Sequence, residues 1–600
     1  MQSLALTKDQ EAKFAKLGIS RVSELALLIP SSYEDLSLRE KLTPNTYGVI
    51  DATIESVYRA PNTIQITFFA HNFGHSLQGV LFRPKPYMMH QFQVGMREYF
   101  YGLIDCKSGS CSISMPRKVT KVGGIVSKYK TALRTDVMAR LVESLLNLQN
   151  LQQEGIKLNI AQEILTLHFP DPNTALLKET SSKQKDALKY LELFNYMKHL
   201  AAKRRYFDAM RLDLSDYRPW AKTLPFTLTA QQQKAIEEIE LDFSKDVAAR
   251  RMVVGDVGSG KTMVILASAI MNTKGCSILM APTTILANQL YEEAQKHTPK
   301  LRSILVTNKT KKQDLSGYDF IIGTHALLYR ELPSASLVMV DEQHRFGTQQ
   351  RNMLEKLVSE GQKKPHFLQF SATPIPRTQA MIESAHIDVS LITSTPFTKN
   401  IASKVIGKKD FRMLLEHIKT ELDQKHQVLL VYPLVEQSDM LEYQSIDEAR
   451  GYWEKNFERV YVTHGKDKAK EETLLEFRKK GEILIATTVV EVGISLPRLS
   501  TVVIVGAERL GLSTLHQLRG RVSRTGLQGY CYLYTNKESS ERLERFVETQ
   551  SGFDIALLDL QYRKSGDLLR GSHQSGSQFR WVDMAEDKEI IAEVKSDLGL

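Results

Sequence analysis

The 600-residue sequence predicts a multidomain α/β protein. Three observations carry that expectation. From about residue 216, apolar strand-like runs alternate with helix-forming stretches, the pattern of a parallel sheet covered by helices. The alternation restarts near Gln427-Val428-Leu429-Leu430-Val431-Tyr432, which calls for a second lobe. Upstream, residues 46–122 read as short strands broken by turns, so the chain changes architecture there. A single hydrophobic core does not extend over this length, and about three to five domains are expected.

Residues 1–45 read as an N-terminal helical segment, with Phe14, Leu17, Ile19, Val22 and Leu25 apolar. In residues 46–122, strands such as 63–68 and 99–102 are separated by turn signals at Pro61-Asn62 and Lys107-Ser108-Gly109. Five or so short strands with aromatics predict an OB-fold β-barrel, a platform on which nucleic-acid bases stack. Phe82 and Tyr87, near Pro84 and Pro86, are the candidates for such stacking; the bland alternative for each is a place in the core. Residues 123–215 read as a helical linker, 216–395 as the first α/β lobe, 396–536 as the second, and 537–600 as a C-terminal region.

The chemistry is concentrated in Gly255-Asp256-Val257-Gly258-Ser259-Gly260-Lys261-Thr262, a G-x-x-x-x-G-K-[ST] phosphate loop. An apolar strand, Met252-Val253-Val254, enters it, and a helix-forming run leaves it. The glycines allow backbone N–H groups to close on phosphate oxygens at a helix N-terminus. Lys261 is expected on the β/γ-phosphates and the Thr262 hydroxyl on Mg²⁺. The apolar run 336–340 ends in Asp341-Glu342-Gln343-His344, placing a carboxylate at the end of a buried strand. Asp341 is expected to hold Mg²⁺ with Thr262, and Glu342 to orient the attacking water. Ser371-Ala372-Thr373 follows another apolar run, and its hydroxyl pair is expected to bond the Asp341-Glu342 step. In the second lobe, His516-Gln517-Leu518-Arg519-Gly520-Arg521-Val522-Ser523-Arg524 spaces Arg521 and Arg524 three apart, facing one side of a helix. Two guanidinium groups there suit the charge of a transferring phosphoryl group, with Gln517 beside them.

These motifs, in this order, resemble the superfamily 2 helicases. In finer detail they are similar to the RecG family of bacterial ATP-dependent DNA helicases. The closest correspondences are G-D-V-G-S-G-K-T at 255–262, D-E-Q-H-R-F-G at 341–347, S-A-T-P-I-P-R-T at 371–378, T-T-V-V-E-V-G at 487–493 and E-R-L-G-L-S-T-L-H-Q-L-R-G-R-V at 508–522. The resemblance covers nearly the whole chain. It implies two RecA-like lobes with ATP in the cleft between them, and an OB-fold wedge that splits DNA at a branch point. It also implies adenine recognition by Gln232, with Phe226 near the ring, and a helical-hairpin translocation motif in the C-terminal region, where Arg563 and Gln574 are retained.

The implied activity is an ATP-dependent 3'-5' DNA helicase that regresses stalled forks and migrates Holliday junctions. The implied cofactors are ATP and Mg²⁺. The implied partners are forks, Holliday junctions, D-loops and R-loops, with single-strand DNA-binding protein a further candidate and a monomer the expected state. Departures occur at Gln561, Lys564 and His573 in the translocation motif. Ser495 stands where the family has Asp, and Ser523 where it has Gly. They predict slower or less tightly coupled turnover. The rival readings are a duplex translocase without strand separation, an RNA helicase, and a branch-DNA binding protein with a weak motor.

Composition agrees. The chain holds 79 basic and 69 acidic residues, net +10, which suits a polyanionic partner without specifying one. Clusters such as Lys203-Arg204-Arg205 and Lys309, Lys311 and Lys312 could neutralise phosphates, although any one could be a solvated face. Four cysteines point to a reducing compartment, and no second pair completes a zinc site around Cys106 and Cys111. No signal peptide pattern and no apolar run near ~18 residues is present, so a cytoplasmic, nucleoid-associated protein without a membrane partner is expected.

Overall fold

The computed structural model describes the chain except residues 1–5, 39, 42, 86–90, 108–109, 121, 172–179, 398–399, 434–442, 466, 489–494, 524–525 and 571–578, and the side chains of 107 and 563–570. Contacts divide it into two compact units. The first comprises residues 1–196 with 579–583 and 589–594; the second comprises the rest. The division passes through the segment read as a linker. It also assigns parts of the C-terminal region to the first unit, where the Glu192 carboxylate accepts from the backbone N–H groups of Arg580, Trp581 and Val582.

In the first unit, β1 (Ser32–Asp35) pairs antiparallel with β7 (Ile125–Lys128). Between them in sequence, β2 (Thr46–Ala60), β3 (Thr63–Ala70), β4 (His75–Phe82), β5 (Arg97–Lys107) and β6 (Ser110–Val119) close a barrel in the order β2-β3-β4-β6-β5. That order, with a parallel β4–β6 seam, is the OB-fold arrangement that the alternating pattern of 46–122 predicts. Alternate residues Ile64, Ile66 and Phe68 point into the barrel with Ile50, Leu77, Phe100 and Ile113. Cys106 lies directly opposite Cys111 across β5 and β6, and the two form a disulfide. Their close spacing therefore reflects hairpin register, and the reducing environment read from cysteine number does not describe this pair. Helices Thr135–Leu145, Leu148–Gln153 and Leu158–His168 belong to the same unit, as does helix Ser182–Ala202 up to Tyr196. His168 is buried among them, its Nε2–H donating to the Ala26 carbonyl and its Nδ1 accepting from the Tyr129 hydroxyl. Burial pushes its pKa down to about 4.

The second unit holds two wholly parallel sheets. The first contains β8 (Arg250–Gly255), β9 (Ser277–Met280), β10 (Ser303–Val306), β11 (Phe320–Gly323), β12 (Leu337–Val340), β13 (His366–Ser371) and β14 (Asp388–Ile392), ordered β10-β11-β9-β12-β13-β8-β14. The second contains β15 (Ile401–Ile406), β16 (Gln427–Val431), β17 (Val460–Thr463), β18 (Ile483–Ala486), β19 (Leu499–Val505) and β20 (Gly529–Tyr534), ordered β15-β20-β19-β16-β18-β17. Both faces of each sheet carry an apolar cluster, as the continuous Val, Ile and Leu runs of these strands require. Helix Lys261–Met271 is buried at every position from Met263 onward, so it is a core helix. These are the two RecA-like lobes the alternation predicts. No helix among the described residues is long and apolar enough to cross a membrane.

Candidate nucleotide site and its links between the lobes

The phosphate loop runs from the end of β8 into helix Lys261–Met271. Gly258 and Gly260 have φ of 76° and 77°, the left-handed region that side chains rarely adopt. A Cβ on Gly260 would also lie 2.3 Å from Nε2 of Gln232, so glycine is required there twice over. Val257, Gly258, Gly260, Lys261 and Thr262 line a cavity of about 450 Å³ together with Asp341, Glu342, Gln517 and Arg521. The same cavity receives Ser495, Arg478 from helix Lys470–Lys480, and Phe397 from the segment between the lobes. Neither Arg478 nor Phe397 sits in a recognisable motif. Only a lysine- and arginine-rich helix end hints at the first.

Lys261 Nζ donates to the carbonyls of Gly255 (2.9 Å) and Asp256 (3.3 Å). Asp341, at the end of β12, is buried. Burial, then the adjacent Glu342 carboxylate, push its pKa up to about 7, although Lys261 pulls the other way. A buried carboxyl short of positive charge, beside Thr262 on the same cavity, fits a divalent cation held by few protein ligands. Glu342 has φ 49°, and its Oε2 accepts from the Ala372 N–H at 3.2 Å. The Ser371-Ala372-Thr373 turn thus touches Glu342 through backbone. The Ser371 hydroxyl accepts from Thr373 N–H instead, which corrects the expected hydroxyl contact. Thr373 is engaged across the cleft, its Oγ1 accepting from Gln517 Nε2 at 2.9 Å.

Several expected residues stand elsewhere. Helix Leu512–Arg519 ends before Arg521, and Ser523 has φ 61°, so the chain leaves the helix where a common face for Arg521 and Arg524 was expected. Arg521 reaches the cavity from the turn beyond; Arg524 lies outside the described residues. Gln232 is the third residue of helix Ala230–Phe243. Its Oε1 accepts from Thr229 N–H in a capping box, and its Nε2 donates to the Ser259 carbonyl at 2.8 Å. One end of the amide thus closes the cap of its own helix and the other braces the phosphate loop, so both ends are engaged and the expected bidentate pair with adenine is not the arrangement present. Phe226 is exposed beside a separate cavity of about 420 Å³ that includes Gln233 and not Gln232.

Within the loop, Gly255, Asp256 and Ser259 do not line the nucleotide cavity. The Asp256 carboxylate turns to the second lobe: Oδ1 accepts from His516 Nε2–H at 2.5 Å, and Oδ2 accepts from the Gly552 N–H at 3.0 Å. In the barrel, Phe82 is 56% exposed at the end of β4, so it is a surface aromatic and not a core one. Tyr87 and Gln574 lie outside the described residues, as does the side chain of Arg563 on helix Gly552–Arg570.

Two family models match the lobes: DEAD/DEAH box helicase over residues 229–382, and Helicase conserved C-terminal domain over residues 409–526. The ATP-dependent DNA helicase RecG of Helicobacter pylori is 44% identical over 595 residues, spanning 96% of this chain and 96% of its own. The ATP-dependent DNA helicase RecG of Streptococcus pneumoniae is 31% identical, over 97% of this chain and 92% of its own. Among solved structures, a RecG bound to a three-way DNA junction superposes with a TM-score of 0.55 at 25% identity, over 98% of this chain and 84% of its own.

Proposed function

The chain belongs to the RecG family of ATP-dependent DNA helicases, and we propose that it couples ATP hydrolysis to the regression of stalled replication forks and the migration of Holliday junctions. The observation that carries this reading is one cavity lined from both lobes, with Lys261, Thr262, Asp341 and Glu342 on one side and Gln517 and Arg521 on the other.

The chemistry follows from those positions. Backbone N–H groups at the start of helix Lys261–Met271 receive the phosphates of ATP. The Lys261 ammonium exchanges its two carbonyl partners for phosphate oxygens. Mg²⁺, held by Thr262 and Asp341, supplies the countercharge of the phosphates when bound. Glu342, steadied by the Ala372 N–H, orients water against the γ-phosphate and accepts its proton. Arg521 adds a fixed positive charge that is in place only while the lobes are together. Hydrolysis is thereby tied to lobe closure.

In this reading the barrel of residues 46–122 is the wedge at the branch, with Phe82 and Tyr87 as its stacking residues. Region 537–600, with Arg563 and Gln574, is the translocation element. The six-segment division of the chain is the matching division of labour. The adenine ring lies near Phe226, and Arg524 joins Arg521 at the γ-phosphate. The family likeness supports a monomer acting on nucleoid DNA in the cytoplasm, on D-loops and R-loops as well as forks, with single-strand DNA-binding protein as a partner.

The test is ATP hydrolysis and strand separation with no DNA, linear duplex, a three-way fork and a four-way junction, with Lys261→Ala beside the wild type. Stronger stimulation by branched than by linear DNA, with strand separation abolished in Lys261→Ala, is expected. Equal stimulation by linear and branched DNA without strand separation would overturn the fork-remodelling reading in favour of a plain duplex translocase.

A further inference from the structure

We infer that Asp256 is a positioning residue that ties the phosphate loop, through His516, to the first turn of helix Gly552–Arg570, so that nucleotide-driven movement of the loop is passed to that helix. The inference rests on the helicase reading of the same site.

Among the described residues, one carboxylate accepts from three donors. Asp256 Oδ1 accepts from Val257 N–H (2.6 Å) and His516 Nε2–H (2.5 Å), and Oδ2 accepts from Gly552 N–H (3.0 Å). Gly552 opens the helix, so its N–H has no partner within the helix, and a carboxylate there also faces the positive end of the helix dipole. The His516 tautomer is set from its other side. Arg519 donates to Nδ1 at 3.2 Å, which leaves Nε2 to carry the hydrogen toward Asp256. Arg519 is held in turn by the carbonyls of Phe546 (3.1 Å), Thr549 (2.8 Å) and Gln550 (3.3 Å), and its guanidinium lies 4.3 Å from the Phe546 ring centre. Those carbonyls belong to the segment that leads directly into helix Gly552–Arg570. The circuit Asp256–His516–Arg519–550–552–Asp256 therefore closes on itself, and all three of its side chains are buried.

Packing gives a second, independent sign of a built joint. A Cβ on Gly552 would sit 2.6 Å from Pro374, 2.7 Å from Asp256 Oδ1 and 2.7 Å from His516 Nε2. A Cβ on Gly520 would sit 2.7 Å from Val257. Two glycines let the second lobe and the C-terminal helix approach the phosphate loop this closely. The input is on the same residue. Lys261 Nζ rests on the Asp256 carbonyl, 3.3 Å away, and must leave it to reach a phosphate. Main chain and side chain of Asp256 thus report to opposite partners, one to the nucleotide cavity and one to the translocation helix.

The experiment compares the full-length wild type with His516→Ala and His516→Gln. Glutamine can still donate to Asp256 and accept from Arg519. Hydrogen exchange across residues 551–562 is followed with and without a non-hydrolysable ATP analogue and Mg²⁺, and base pairs opened per ATP are measured on a three-way fork. In the wild type the analogue should change protection of this segment about ten-fold, the equilibrium worth of one charge-assisted hydrogen bond. His516→Ala should lose that response and open fewer base pairs per ATP, while its DNA-free hydrolysis rate and its thermal shift with the analogue persist; His516→Gln should restore both.

A nucleotide response in His516→Ala equal to that of the wild type overturns the inference, as does no response in the wild type. If His516→Ala fails to fold, His516→Asn, too short to span to Asp256, takes its place under the same criteria. A wild type that hydrolyses ATP but opens no branched DNA defeats the functional reading instead, and the exchange data then decide the inference separately.

Discussion

The side-chain amide of Gln517 donates to the hydroxyl of Thr373 over 2.9 Å, so the second lobe's helix Leu512–Arg519 is bonded to the turn that steadies Glu342 in the first. A neutral hydrogen bond contributes about 1 kcal/mol, so Gln517→Ala and Thr373→Val should each lower the DNA-stimulated hydrolysis rate about five-fold. Because both changes break the same bond, the double variant should be no slower than the worse single one. Steady-state ATPase rates on fork DNA check this; additive losses would show that the two side chains act separately.

Ser523 sits at φ 61° with its Oγ buried and without a hydrogen-bond partner among the described residues. A left-handed non-glycine residue costs about 1 kcal/mol, and an orphaned hydroxyl adds to that cost. Ser523→Gly should therefore raise the melting temperature and leave the hydrolysis rate equal or higher. A lower melting temperature would mean that the hydroxyl has a partner the strain argument overlooks.

Phe82 is exposed at the end of β4 in the barrel. Base–aromatic stacking is worth about 1–3 kcal/mol per base, so Phe82→Ala should weaken fork binding at least about five-fold. Hydrolysis stimulated by linear duplex should be unchanged. Fluorescence anisotropy with matched fork and duplex probes checks the split, and equal losses on both would remove Phe82 from the branch point.

His168 has a pKa lowered to about 4 by burial, against an ordinary value of 6.5. The folded state holds it neutral, so its contribution to stability is complete above about pH 6.5 and is lost as pH falls toward 4. His366, lowered to about 4 by burial in the first lobe, acts in the same direction. The melting temperature should fall between pH 6.5 and 4. His168→Gln, which keeps a donor for the Ala26 carbonyl but does not titrate, should flatten that slope while lowering stability at pH 7.5. Differential scanning at a series of pH values tests it.

The sequence by itself determined the two parallel lobes, the five-stranded barrel and the grouping of Lys261, Thr262, Asp341 and Glu342, which line one cavity in the first lobe. Each of these is written in short-range chemistry: alternation within a strand, glycines where φ must be positive, a carboxylate closing an apolar run. Arg521 and Gln517 were legible for the same reason, although the helix assumed to carry Arg521 ends two residues before it. Only the tertiary structure decided how the loop residues divide their labour. It turned Asp256 away from the cavity toward His516, 260 positions later, divided the Gln232 amide between its own helix cap and the loop, and brought Arg478 and Phe397 to the cavity. Spacing along the chain specifies local backbone geometry, whereas a carboxylate's partner depends on which distant donor the packing of two lobes leaves within hydrogen-bond reach.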